Sequence, residues 1–538
     1  MSEREQSFWG WGYADKFPDD EGRRNLGTQV TSMLGFDEVD LLEPPTLDDV
    51  ELREPRVEPP DALSAICSAD KRTRTTHTYG KAYQDVVRGF RADFGEPPDF
   101  VAAPTSAGEV RAVLDWACDE DVAVVPFGGG TSVVGGVETD VSGDFRGVVS
   151  LDMRRMDRVL EVDPISRAAR IEAGATGPRL AAQLEQHGLC FRHYPQSYEF
   201  STFGGWIATR AGGHFATRYT HIDDFIESVA MIAPSGDFQT RRLPGSGAGP
   251  SPDALVLGSE GTLGVITEAW TQVHLRPRFR SKASVHFSDF DDAVLATREV
   301  VQSGLAPANL RLLDSREAML NGVVFDGSNV LLVAFESPRV PTKCDLDRAL
   351  AICQEHGGEV QGEPVHLDEQ DDSRESKSGG SQSSSKWRSS FFEGPYLQNT
   401  MVSLGVIADT FETACTWDRF ETFHRSVIRD VRDAMKRVCG AGFISCRFTH
   451  VYPDGPAPYY TFIAPAKVGS ELEQWSEIKS AAAEAISRGG ATITHHHAVG
   501  RTHKPWYERE VPELFRRGLQ QVKESFDPKG VLNPGVLL

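Results

Sequence analysis

The sequence predicts two folded units in tandem, an α/β unit followed by an α+β unit. Three observations predict this. From about residue 96 a short strand, a helix and a second strand follow in quick order, and the second strand runs into a glycine-rich loop. Beyond Pro277 the chain mixes strands with long amphipathic helices. The chain has 538 residues, more than one ordinary core holds, so about two to four domains are expected.

The elements follow in order. Residues 1–95 are acidic and Pro-rich and read as a mostly helical segment, helical in patches, with an aromatic cluster Phe8-Trp9-Gly10-Trp11-Gly12-Tyr13. Residues 96–276 form the first unit. Pro97-Pro98-Asp99 leads into a strand, Ser106 and Glu109 have the spacing of a capping box, and Val110, Val113, Leu114 and Ala117 recur at helical spacing. Val122 to Pro126 is a strand, as are Gly147 to Leu151 and Ala168 to Ala173, and Leu180, Ala181 and Leu184 ahead of Gly188 read as a helix with a glycine stop.

Residues 277–500 form the second unit. Val330 to Phe335 is a strand, and a helix over about 418–438 places Phe420, Phe423, Val427, Val431 and Met435 on one face. Residues 371–386, rich in Ser and Gly, read as a mobile loop. Residues 501–538 are helical from Trp506 and complete the first unit, ending in Asp527-Pro528 … Asn533-Pro534-Gly535.

Composition narrows the class. A net charge of -22 repels phosphate backbones, so nucleic acid is not an expected partner. The eight Cys contain no C-x-x-C pair and read as reduced, packed thiols. The charged start lacks an apolar signal core, no stretch reaches transmembrane length, and the last residues are not a Ser-Lys-Leu address, so a cytoplasmic protein is expected.

The strongest motif is Pro126-Phe127-Gly128-Gly129-Gly130-Thr131-Ser132, continuing to Gly135-Gly136. A strand delivers the chain into a turn whose bare N–H groups can form a nest for a phosphate, with Thr131 and Ser132 adding hydroxyls. It is neither a dinucleotide fingerprint opening a helix nor a Walker loop, since no Lys follows, and alone it could be a tight structural turn. Two further loops accompany it. One holds Gln196, Ser197, Glu199, Phe200, Ser201 and Thr202 with Thr209, Arg210, Ala211 and Gly212 after it, and the other runs Glu260, Gly261, Thr262, Leu263, Gly264, Val265, Ile266. Three Gly/Ser/Thr-rich loops in one strand-rich unit suit a long dinucleotide.

The run His495-His496-His497 has three readings. On a strand only His495 and His497 would share a face, which makes a poor metal cage, so no metal is expected; a solvated run and an active-site base cluster are the alternatives. Tyr459, by residue type alone, reads as a core aromatic of a strand.

The order and spelling of the three loops resemble the FAD domain of the vanillyl-alcohol oxidase superfamily. Within it the chain resembles the alkyl-dihydroxyacetone-phosphate (alkyl-DHAP) synthases over nearly its whole length, in Glu199 to Thr202, Ala306 to Leu312, Ser445-Cys446-Arg447 and Thr494 to Gly500. The resemblance implies a two-subdomain FAD-binding domain with a substrate cap domain. It implies FAD held non-covalently, since no His stands between Phe127 and Gly136. It also implies exchange of the acyl group of acyl-DHAP for a fatty alcohol through a flavin N5 adduct. Tyr459, His496 and His497 would move protons, with His495 and His193 in the site, and Arg311 would hold an anion, with Arg447 a second arginine near it. The alternative is an FAD-dependent oxidoreductase acting on a 2-hydroxy acid or another alcohol. The partner is then a small-molecule or lipid substrate, with peripheral membrane contact and a homodimer left open. One departure bears on the substrate: where the synthases carry an Arg, this chain has Gln398, and an amide cannot replace a guanidinium as a charged, bidentate partner.

Overall fold

The computed structural model describes residues 4–36, 39–219, 221–368 and 382–538, with the backbone only for 382–392. The first sheet runs Cys67–Ser68, Phe100–Ala102, Gly147–Asp152, Val122–Phe127, the last three parallel. Its central strands are buried on both faces, as parallel strands require, and Val110, Val113, Leu114 and Ala117 of helix Ala107–Asp119 cover one of them. Ser106 caps that helix, but Glu109 reaches back to Thr105 rather than to Ser106. The C-terminus completes the core: Leu532 pairs in parallel with Val124, and Val531 and Leu532 are fully buried.

The second sheet is antiparallel, in the order Val159–Asp163, Ala168–Glu172, Val265–Gln272, Ile226–Ala233, Gly236–Gln239. The third sheet, eight-stranded among the described residues, carries the second unit. Its path is Glu359–Val360, Phe279–Phe287, Asn329–Ser337, Asn309–Leu313, Phe443–Val451, Pro456–Pro465, Val406–Glu412, with Val365–Leu367 paired beside Phe279–Phe287. Helices Phe290–Gln302, Lys343–Glu355, Trp417–Cys439 and Glu471–Arg488 bury their apolar stripes on one face of it, and the five residues expected on one face of the third helix are all buried there.

Period-two alternation decides what the other face carries. Leu310 and Leu312, Cys446 and Phe448, Tyr460 and Phe462 point into the helix-covered core. Arg311, Arg447, Tyr459 and Thr461 therefore point the opposite way, into a cavity. A bulge between Phe448 and His450 breaks the alternation and lets both Thr449 and His450 face the cavity.

Three expectations change. The N-terminal segment is not mostly helical: apart from the 15-residue Asp20–Leu34 its helices are short, and it lends Trp9, Tyr83, Val86 and Val87 to the core of the third sheet. Of the expected loop 371–386, residues 371–381 lie outside the described residues, and 382–386 open the helix Gln382–Ser403. Finally, residues 495–497 are a bend and not a strand, so the face-alternation argument for the His run does not apply.

Candidate active site

A cavity of about 1010 Å³ lies between the glycine-rich loops and the open face of the third sheet. That volume is at the upper end of ordinary ligand pockets. Its first wall is made by Pro126 to Ser132, by Gln196, Ser197, Ser201 and Thr202, by Thr209, Ala211 and Gly212, and by Glu260, Gly261, Gly264, Val265 and Ile266. Its second wall holds Arg311, Gln398, Tyr459, His496 and His497, joined by His450, Thr410, Thr449 and Arg447.

Seven expected residues stand off the cavity. Glu199 pairs with Lys16 at 3.8 Å, and Phe200 packs edge-on against Trp11 and Tyr13. Arg210 closes its helix in a left-handed conformation and pairs with Asp223. Thr262 and Leu263 are buried under the loop, with the Thr262 hydroxyl on the Ser259 carbonyl. His193 is fully buried among Phe191, Trp206 and Phe225, neither ring nitrogen has a hydrogen-bond partner among the described residues, and burial pushes it down to about 3. The fold thus encloses His193 in an aromatic core, off the cavity wall. His495 sits one layer behind His496.

The glycine-rich loop is specified by packing more than by dihedral freedom. Gly130 alone among its three glycines takes a positive φ, +64°. A side-chain carbon on Gly129 would come within 2.0 Å of the Phe200 carbonyl oxygen, and one on Gly128 within 2.3 Å of Thr202 Oγ1. The first two loops therefore close on each other and leave their inner edges to the cavity. Asn533 ties in the third, donating to the carbonyls of Gly136 and Glu260. Glu260 accepts the N–H groups of Val499 and Gly500 at 2.9 and 2.8 Å, and burial, opposed by those two bonds, pushes its carboxyl up to about 7.

The His segment is built around a carboxylate that the sequence did not mark. Glu412 ends strand Val406–Glu412 and is paired in register with Tyr459. Its Oε2 accepts the His495 N–H at 2.7 Å, and its Oε1 accepts those of His496 and His497 at 3.1 and 3.0 Å and the Thr494 hydroxyl at 2.6 Å. Burial works to raise this carboxyl, but the imidazoles of His496 and His497 overcome it and hold it well below the usual range. Successive N–H groups on one anion make a nest that fixes the bend.

Around it the imidazoles form a chain. His495 Nδ1 lies 2.9 Å from His496 Nδ1, and His495 Nε2 lies 2.9 Å from the Tyr452 hydroxyl and 3.0 Å from His221 Nε2. His450 stacks on His495, its ring nitrogens have no hydrogen-bond partner among the described residues, and burial followed by its imidazole neighbours pushes it well down. Ligand atoms of His450, His495 and His496 lie within 4.8 Å of one another. This convergence was invisible to the strand reading, although one nitrogen of His495 is already engaged by Tyr452 and His221.

Tyr459 is buried beside this chain. Its hydroxyl is 2.9 Å from Thr410 Oγ1, its ring lies 6.0 Å from that of His496 and 5.4 Å from that of His497, and the Arg447 guanidinium stands 3.9 Å from its centre. Burial raises the phenol, with Arg447 and Thr410 opposing. Arg447 is held by Glu317 at 2.5 Å. Arg311 is almost fully buried, with Nη1 3.3 Å from His214 Nδ1 and Nη2 donating to the Thr449 carbonyl at 3.4 Å, and burial and Arg447 both act against its charge. Gln398 donates to the Ala408 carbonyl at 3.2 Å. The expected set is thus gathered in one place, except His193, and Glu412, His450, Thr410 and Glu317 are added to it. Only His450, three residues after the marked segment Ser445-Cys446-Arg447, carried a local hint.

Residues 98–241 match the model of an FAD binding domain, and residues 276–537 that of the C-terminal domain of FAD linked oxidases. The alkyldihydroxyacetonephosphate synthase of Dictyostelium discoideum is 31% identical over 87% of this chain and 78% of its own. That of Trypanosoma brucei brucei is 29% identical over 89% and 80%. The glycolate oxidase subunit GlcD of Bacillus subtilis is 25% identical over 81% and 88%. Among solved structures, an alkyldihydroxyacetonephosphate synthase shares the fold with a TM-score of 0.82 at 24% identity, over 98% of this chain and 97% of that one. The 4-ethylphenol oxidase of Gulosibacter chungangensis shares it at 0.66 and 16% identity, over 96% and 97%. Among the described residues no helix is long and apolar enough to cross a membrane. The loops, the cavity they line and these relatives agree on an FAD enzyme of the vanillyl-alcohol oxidase fold, and the chain belongs to the family of the alkyldihydroxyacetonephosphate synthases.

Proposed function

We propose that the protein exchanges the acyl group of acyl-DHAP for a fatty alcohol, giving alkyl-DHAP and a fatty acid. The observation that carries this is an apolar stretch of the cavity wall. Leu26, Leu320, Leu397, Met401 and Ile463 line it and pack as one cluster, with Leu397 beside Gln398 in sequence and Ile463 on the strand of Tyr459. Such a wall suits a long hydrocarbon chain, which a small hydroxy acid lacks.

In this reaction the C1–O bond to the acyl group breaks, the alcohol oxygen bonds to C1, and no net oxidation occurs. Bound FAD supplies an electron sink for the carbanion character at C1. The chain supplies the rest. His496 and His497, fixed by Glu412, take and return the C1 and alcohol protons, with the Tyr459 hydroxyl as the third proton-moving group. Arg311, deep in the wall, meets the anionic end of the substrate, because Gln398 is neutral and already engaged.

Incubating the purified protein with acyl-DHAP and a labelled long-chain alcohol tests the reading. Label in alkyl-DHAP with one equivalent of free fatty acid supports it, and hydrolysis or no reaction rejects it. A second reading, oxidation of a 2-hydroxy acid, is favoured by two arginines in one wall and by the likeness to the glycolate oxidase subunit.

A further inference from the structure

The loop from Gly128 to Ser132 carries no charged side chain, yet a pyrophosphate brings two negative charges into a cavity of a strongly acidic protein. Among the described residues several cations stand near that loop. A second, smaller cavity of about 480 Å³ shares Phe127, Gly129, Gly130 and Thr131 with the main one and is lined by Arg4, Arg72 and Arg154. Each of these is committed: Arg4 to Asp15, Arg72 to Glu5, Arg154 to Asp152.

Lys81 differs. It lines both cavities, and no hydrogen bond or ion pair of its ammonium is found among the described residues. Its backbone is clamped to the loop, with its N–H donating to the Ser132 carbonyl at 2.6 Å. Gly80 permits that approach, since a side-chain carbon there would come within 2.4 Å of the same oxygen. Asp85, the carboxyl that acts on Lys81, caps the following helix, and burial and then Glu138 push it well above the usual carboxyl range, so it is a weak counter-charge. Burial pushes the lysine itself down to about 8. Lys81 is therefore tied to the loop by its backbone, with its side chain on the walls of both cavities.

We propose that Lys81 is a pyrophosphate-binding residue of the FAD site, supplying the charge that the N–H nest of the loop lacks. A nest and a cation then share one anion, and a charge-assisted bond joins the N-terminal segment to the cofactor. The inference rests on FAD as cofactor and is independent of the substrate.

The test is FAD titration of flavin-free protein, followed by flavin fluorescence, beside the melting temperature of the flavin-free form. Lys81→Met is expected to raise the Kd for FAD about 10- to 100-fold. Lys81→Arg should restore most of it, and the flavin-free melting temperature of both should match the parent's. A Kd for Lys81→Met within twofold of the parent's overturns the proposal. A loss of affinity that comes with an equally early-melting flavin-free protein also overturns it, since Lys81 would then be a structural partner of Asp85.

Discussion

The Arg447 guanidinium lies 3.9 Å from the centre of the Tyr459 ring, and Glu317 anchors it from behind at 2.5 Å. A fixed cation over the ring favours the phenolate and works against the burial that disfavours it. Tyr459→Phe removes the hydroxyl and keeps the stacking surface. Turnover should fall about 10²–10⁴-fold while FAD remains bound at full stoichiometry. Steady-state rates beside the bound-flavin absorbance check this; a near-normal rate would remove Tyr459 from the proton-moving set.

Glu412 makes a sharper demand on the His bend. Glu412→Ala leaves three N–H groups and the Thr494 hydroxyl without their acceptor. Even one buried group left unsatisfied costs about 1–3 kcal/mol, so an early-melting protein is expected. His496→Ala, which keeps the bend, should instead melt like the parent and lose turnover about 10²–10⁴-fold. If the two variants behave alike in both assays, Glu412 and His496 do not divide support from chemistry.

His193 yields a pH prediction. Its folded pKa is about 3, below the 6.5 of an unfolded chain, so the unfolded state binds more protons between these values. Stability is therefore lost as pH falls below about 6.5. Replacing His193 with Leu removes that loss. Relative to the parent, the variant should gain about 2 kcal/mol between pH 7.5 and pH 5, whatever its packing cost, and should keep its turnover. Denaturant unfolding at the two pH values measures it, and an unchanged difference would mean that the ring is not neutral in the fold.

Gly129→Ala should lower flavin content sharply, because the added carbon meets the Phe200 carbonyl at 2.0 Å and forces the two loops apart. Acid precipitation of the parent should leave yellow FAD in the supernatant. Flavin remaining in the pellet would show a covalent bond.

Gln398 separates the two substrate readings. Gln398→Arg adds a cation to the cavity wall, and with acyl-DHAP the expected result is a rise in kcat/KM of about tenfold or more, from a charge-assisted bond to the phosphate. If the true substrate lacks that group, the guanidinium is unpaired in a closed cavity and the native reaction slows. The sign of the change decides.

What could be read in advance follows from the range of the interactions. Strand Val122–Phe127 and its loop, and the face of helix Trp417–Cys439, rest on local periodicity and glycine content, and they were legible. Lys81 and Glu412 were not, because each meets its partners across 50 or more residues of chain and neither lies in a marked motif. Only the backbone of the His run was misread, as a strand, because the Glu412 carboxylate and not strand propensity sets it. The placement of His193 off the cavity was not legible, because its neighbours Phe191, Trp206 and Phe225 enclose it only after folding.

Acyl-for-alkyl exchange on FAD without net oxidation is the reaction proposed for this site. Anaerobic mixing of the protein with acyl-DHAP and a long-chain alcohol, with the flavin spectrum followed throughout, tests it most directly. The expected result is alkyl-DHAP over many turnovers and a flavin still oxidised at the end. Lasting bleaching by a 2-hydroxy acid, with no ether product from acyl-DHAP, would contradict it.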